Sequence, residues 1–441
     1  MVLVLTVLLF PSGKEEKLVT SKLTAMVINI GESTLTVQDD KDVIYTFNSN
    51  SNDVNVGEVV VIEYTGLLDK STSVQKNSLV GILPVSNDEE EYFNRSRSNG
   101  GIFEQFNTLA ENKLKTMTLD EKIGQLLLVR YPDANAKEAL EKYKFGGYVF
   151  FEKDFKDKTE KEVQNMMSEL QKVANIPLLT AVDEEGGKVV RVSSNPNLAS
   201  SKFLSPRQLY QEGGFDLIKE DVVNKSKVLA NLGINLNLAP VVDVSTNPDD
   251  YMYDRTLGEG TSLTSTYAST VINASKNGKV SYVLKHFPGY GNNNDTHQGV
   301  VLDNRTFSDI ETNDLPPFEA GINASAEAVL VSHNTVVNID SNNPASLSPS
   351  IHNLLRNNLG FTGVIMTDDL AMGAISSIDN ATVKALLAGN DIIMVTDYEK
   401  SFNEIKSALN NGTISEELID NANHRIISWK YYKGLMYQNQ K

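Results

Sequence analysis

The apolar residues of this chain change rhythm once. Up to residue 84 they fall in short, β-rich and partly alternating runs: Leu23–Ile30, Ser33–Asp39, Val43–Phe47 and Val59–Tyr64. Gly31-Glu32 and Asp39-Asp40 punctuate these runs as turns, and Val59–Tyr64 is the strongest strand signal among them. Strands this short and closely spaced predict a small barrel or sandwich over residues 17–84. It carries no catalytic cluster, so a spacer or wall-binding module is expected. Ahead of it, Val2–Phe10 is almost continuously apolar but too short to cross a bilayer as a helix. Residues 1–16 are therefore read as an apolar leader, either the remnant of an export signal or a buried strand. Residues 85–104 are polar, with Asp88-Glu89-Glu90-Glu91 followed by Ser and Asn, and read as a linker.

From residue 105 the rhythm becomes strand, loop, helix, repeated. Thr118-Leu119-Asp120-Glu121 fits a capping box opening a helix. Apolar strands are predicted at Leu126–Val129, Gly147–Phe151, Leu178–Val182, Asn235–Pro240, Tyr282–Leu284, Ala328–Val331, Val364–Met366 and Ile392–Val395. Helix-like segments lie between them at Lys158–Val173, Phe215–Asn231, Ser262–Asn277 and Asn380–Ala388. This alternation predicts a parallel sheet buried on both faces. Eight such units predict an α/β fold of the TIM (β/α)8 type over residues 105–441. A doubly wound open sheet is the alternative. No Gly-x-Gly-x-x-Gly follows the first strand, so dinucleotide binding lacks support and no cofactor is expected.

Composition removes other classes. A formal charge of −17, with no basic stripe, argues against nonspecific nucleic-acid binding. The absence of cysteine excludes disulfides, thiolate zinc sites and cysteine nucleophiles. A monomer is the expected state.

Chemistry in a TIM barrel gathers where strands end and loops begin. The third strand leads into Asp183-Glu184-Glu185-Gly186-Gly187 and Arg191, and the fourth into Asp243 and Arg255. The fifth leads into Lys285-His286 and a Gly, Pro and Asn-rich loop ending Asp295-Thr296-His297. The sixth gives Ser332-His333-Asn334, the seventh Thr367-Asp368-Asp369 and the eighth Thr396-Asp397. Three of the five histidines thus fall at strand ends; His352 and His424 are placed on surface helices and read as solvated.

Glycoside cleavage needs a carboxylate at the anomeric carbon and an acid for the leaving oxygen. Asp368, rigidly carried by the apolar Gly363–Met366 run, suits the first role. Its neighbour Asp369 should point away if the strand conformation persists. No second carboxylate is equally well placed as the acid. His297 suits that role, with Asp295 fixing its tautomer. Lys285, Arg191 and Arg255 can donate to sugar hydroxyls, and Asp183 can accept from them. The competing reading of each is an ion pair supporting the barrel rim.

These residues resemble a known family. Lys285-His286-Phe287-Pro288-Gly289-Tyr290-Gly291 with Asp295-Thr296-His297 resembles the Lys-His-Phe-Pro-Gly-x-Gly…Asp-Ser/Thr-His signature of glycoside hydrolase family three, β-N-acetylglucosaminidase branch. Asp183–Arg191, Gly363–Met372, Pro344–Ser348 and Gly389–Asp391 are similar to further motifs of that branch, and the resemblance spans roughly residues 105–435. It implies a retaining exo-β-N-acetylglucosaminidase acting on terminal β-linked N-acetylglucosamine, often in peptidoglycan fragments; an extracytoplasmic location is favoured, with a cytoplasmic one as the alternative. It also implies Asp368 as nucleophile, His297 as acid/base, Asp295 as its partner on a mobile loop, and no metal. Asp183, Arg191, Arg255, Lys285, His286 and His333 match sugar-binding positions. Relatives that accept phosphate leave phosphorolysis open. Three departures are visible: Tyr290 replaces a usual histidine, Glu184 a common glutamine and Lys188 a common arginine.

A hinge over Gly289–Asn294 is expected, closing the loop on substrate. Two other functions compete: a non-catalytic cell-wall glycan-binding protein, and a metal-dependent barrel hydrolase with His286, His297, His333 and Asp368 as ligands.

Overall fold

A computed structural model describes residues 20–31, 33–39, 44–49, 54, 58–65, 68, 79–85, 101–296 and 299–437. The chain divides into two compact units, Met1–Gly101 and Ile102–Lys441. The leader and most of the linker read from the sequence lie outside the described residues.

The first unit is an antiparallel sheet of five strands, β1 (Thr20–Ile30), β2 (Thr34–Gln38), β3 (Ile44–Asn48), β4 (Val59–Thr65) and β5 (Leu79–Pro84), in the order β3-β2-β1-β4-β5. Alternate residues Ala25, Val27, Leu35, Val37, Tyr45, Phe47, Val60 and Ile62 fill one core, as a half-buried period of two requires. β5 was not predicted: Leu79-Val80-Gly81-Ile82-Leu83-Pro84 carries a Gly and a Pro, both weak strand formers. Proline is tolerated there because β5 ends the sheet.

The second unit is the barrel. Its strands are β6 (Leu127–Arg130), β7 (Gly147–Phe150), β8 (Leu179–Val182), β9 (Leu236–Asn237), β10 (Ser281–Phe287), β12 (Ala328–Val331), β14 (Val364–Thr367) and β15 (Ile393–Val395). All neighbours are parallel and follow chain order, with β15 returning to β6. A parallel bridge between Met366 and Ile392 joins β14 to β15 and closes the ring. Helices such as Glu160–Val173 and Thr261–Ser275 connect the strands. The first of these starts at a capping box: Thr159 Oγ accepts from the Glu162 amide, and Glu162 accepts from the Thr159 amide at 2.7 Å. The predicted box at Thr118 forms in the same way. A two-stranded excursion, β11 (Leu302–Asp303) with β13 (Thr335–Val336), lies outside the ring.

Three expectations change. β9 is shorter than predicted and β10 longer, so Lys285 and His286 are strand residues. The helix expected over Phe215–Asn231 is present, preceded by a shorter one from Pro206 and set off from it by a backbone break at Gly214. His352 is buried, not solvated: its helix Pro349–Asn353 packs inward and Nδ1 bonds the Ser348 carbonyl at 2.8 Å. Burial holds its pKa below the usual histidine value. His424 is half-buried.

Candidate active site

A cavity of about 420 Å³ opens where the barrel strands end. Its floor is an interlocked set of ions. Lys285, on β10, donates to Asp183 Oδ1 at 2.8 Å and lies 2.6 Å from Glu185 Oε1. Arg255, in the turn Tyr253–Arg255, grips Glu185 with two nitrogens at 2.9 and 2.7 Å. This planar two-point grip resists rotation better than a single ammonium contact. Arg191 reaches Asp183 at 3.5 Å. Burial opposes charge on Glu185, yet Arg255 and Lys285 hold its pKa well below the carboxylate range. Burial likewise opposes the Lys285 ammonium, and Asp183 and Glu185 hold its pKa above the lysine range. The floor is thus ionised throughout.

Glu185 was not singled out from the sequence. Its signal was present, because Asp183 and Glu185 are two apart and share a side once the chain leaves β8 extended. Glu184 points the other way. Its buried carboxylate accepts from the amides of Arg191 and Val192, each at 2.7 Å, and of Ser193 at 3.2 Å. A glutamine has one acceptor oxygen where Glu184 uses two, which accounts physically for the acid at this departure. The clamp fixes the loop that delivers Arg191.

His286 sits over the floor. Nδ1 lies 2.8 Å from Asp243 Oδ2, and Nε2 3.3 Å from the Arg255 guanidinium. Arginine can only donate, so Nε2 accepts and Nδ1 carries the proton given to Asp243. Asp243 also accepts from the Tyr290 amide at 2.7 Å, joining the sugar-facing histidine to the loop beyond it.

Asp368 stands at the end of β14 and lines the cavity. Its Oδ1 accepts from the Asp369 amide at 2.8 Å. Asp369 does not point away, as alternation predicted; it lines the cavity too, because the strand stops at Thr367 and the chain turns. It accepts from Ala371 N at 2.9 Å and from Thr396 at 3.3 Å. Burial, then the Asp368 charge, raises its pKa. His333 is not a cavity residue. Buried behind the wall, it accepts from Ser346 through Nδ1 at 2.8 Å and donates through Nε2 to the Asp369 carbonyl at 3.0 Å. It props the turn that carries the two acids.

His297 lies outside the described residues. Asp295 is half-buried, facing the Tyr251 phenol. Within the expected hinge over Gly289–Asn294, the first three residues pack closely against the protein. Gly289 and Gly291 have φ of 122° and 55°. A Cβ at either would strike Asp314 or Arg305, which are themselves paired at 2.7 Å.

Two of the four residues of the metal reading, His286 and His333, have other partners. Both His333 nitrogens and both His286 nitrogens are engaged within the protein. Among the described residues no group of three or more His, Cys, Asp or Glu is arranged to hold an ion.

A polar mouth on a parallel barrel, with an acid poised on one rim and cations beneath it, suits an enzyme that cleaves sugars. Residues 118–429 match the model of the glycosyl hydrolase family 3 N-terminal domain. The chain belongs to that family and is a glycoside hydrolase. It is 31% identical over 326 residues to β-hexosaminidase LpqI of Mycobacterium tuberculosis, covering 70% of this chain and 82% of that one. A β-hexosaminidase of Xylella fastidiosa strain M23 is 30% identical over 292 residues, covering 64% and 85%. A family 3 β-N-acetylglucosaminidase structure from Paenibacillus sp. FPU-7 superposes with a TM-score of 0.68 at 28% identity, covering 73% of this chain and 63% of that one.

Proposed function

We propose that the protein is a retaining exo-β-N-acetylglucosaminidase acting on terminal β-linked N-acetylglucosamine of extracytoplasmic glycans such as peptidoglycan fragments. The observation that carries this is the Asp368 carboxylate. It is presented at the end of a rigid strand, with one oxygen held by an amide, above an ionised floor that offers donors and acceptors to sugar hydroxyls. The relatives named β-hexosaminidase and the β-N-acetylglucosaminidase structure support the choice of sugar.

In this reading an Asp368 oxygen bonds to C1 as the glycosidic C1–O bond breaks. His297, oriented by Asp295, gives its proton to the leaving oxygen, then takes one from the water that releases the sugar from Asp368. Asp183, Arg191, Lys285, Arg255 and His286 hold the ring hydroxyls, so that attack is nearly unimolecular. Mass spectrometry of a cell-wall digest, with and without added phosphate, tests the reading. Release of single N-acetylglucosamine units is expected; internal cleavage or a different sugar overturns it.

A further inference from the structure

Between the sugar-facing floor and Asp295 runs a connection that the proposed reaction leaves without a role. Tyr290 is buried although it sits in a loop. Its amide is tied to Asp243 at 2.7 Å. At the far end of the side chain, the phenol oxygen bonds Thr296 Oγ1 and accepts from the Thr296 amide at 3.3 Å. The Thr296 carbonyl accepts in turn from Ala374 N at 3.2 Å. Tyr251 packs its ring 6.0 Å from that of Tyr290, lines the cavity, and turns its phenol to both the Asp295 carboxylate and the Arg255 guanidinium.

We infer that Tyr290 is a positioning residue for the protonation step: its phenol clasps Thr296 and so sets where the adjoining Asp295 carboxylate stands, while Tyr251 holds that carboxylate from the cavity side. Through its amide and its phenol, Tyr290 alone ties Thr296 back to Asp243 beside the floor. Asp295 is thus held from two sides, by the clasp through Thr296 and by Tyr251, whose phenol also faces Arg255. It rests on the reading of Asp295 as half of the acid/base pair.

Leaving-group dependence tests it. Weakened protonation slows departure of a sugar alcohol far more than departure of an acidic phenol. For Tyr290→Phe, kcat/KM for an N-acetylglucosamine disaccharide should fall roughly 10- to 100-fold, and for the 2,4-dinitrophenyl glycoside by less than about threefold. Thr296→Val should reproduce this bias and keeps the test alive if the tyrosine variant folds poorly. The double variant should lose no more than Tyr290→Phe alone, since that change already removes both phenol bonds, including the one Thr296→Val breaks. Thr296→Ser, which keeps the hydroxyl, should hold the wild-type ratio of the two rates. Equal loss on both substrates, no loss on either, or additive losses would overturn the clasp. Asp295→Ala on the same pair separates the two levels. If it shows the bias and Tyr290→Phe does not, only the clasp fails. If Asp295→Ala shows none, the acid/base reading fails with it.

Discussion

Both ends of the barrel bury charge, and they bury it differently. At the closed end, residues just before the strands meet the last long helix, Glu416–Tyr432. Glu327, ahead of β12, accepts from Ser281, from Trp429 at 2.7 Å and from Lys433 at 3.2 Å. Asp391, ahead of β15, pairs with Arg356 at 2.7 Å and Arg425 at 2.8 Å, and accepts from Ile365 N. At the open end, Asp183, Glu185, Lys285 and Arg255 are just as tightly paired, but a cavity lies over them. Buried ion pairs therefore do not mark a site by themselves. What marks it is an ionised lattice with one face left to a ligand, and a carboxylate, Asp368, outside the lattice.

Variants can break this contrast. The largest effect is expected from Asp368→Ala, with kcat/KM lowered roughly 10³-fold or more. Its melting temperature should stay close to wild type, because the one bond lost, from the Asp369 amide, is only part-buried beside the cavity. Wild-type turnover of an aryl N-acetylglucosaminide would remove Asp368 from the chemistry. Glu327→Ala should do the reverse. It strands three buried donors and should cost about 3–5 kcal/mol of unfolding free energy in a urea titration. The folded fraction should keep its kcat/KM, and a kinetic loss matching that of Asp368→Ala would erase the distinction between the two ends.

A smaller effect concerns Lys430, buried at the closed end, where its acceptors among the described residues are Gln125 Oε1 at 2.6 Å and the Gly146 carbonyl at 2.9 Å. Burial lowers its pKa to about 7. The unfolded lysine titrates near 10.5, so between these values the unfolded chain binds more protons and stability rises with pH. The penalty is fully present below about pH 7 and fades toward pH 10. Lys430→Met should flatten that slope in melting temperatures taken from pH 7 to 9.5, relative to wild type. An unchanged slope would mean Lys430 stays charged in the fold.

The barrel was legible because strands buried on both faces must be apolar runs, and eight of them stand out between helices. Strand ends were less legible. Lys285 and His286 lie within β10 because a polar residue can continue a strand when its partners wait above, as Asp183, Glu185 and Asp243 do. β5 and the burial of His352 were missed for a related reason: a short element has too few residues to show its period. At the site, charge and position picked out Asp183, Arg191, Arg255, Lys285, His286 and Asp368. Partner choice was invisible, so Glu185 went unnoticed and His333 was assigned to the sugar rather than to the Asp369 turn. Tyr251 sits in a loop without periodicity and gave no signal.

The paired floor has one more consequence, for how a substrate arrives. Acids and cations alternate around the cavity and cancel one another at short range, whatever the −17 carried by the chain as a whole. An uncharged sugar entering it exchanges hydrogen bonds with water and is not drawn in by a net field. Its KM should then be nearly indifferent to ionic strength, moving less than about twofold between roughly 20 and 300 mM salt, whereas a site that steers its ligand electrostatically would weaken steeply.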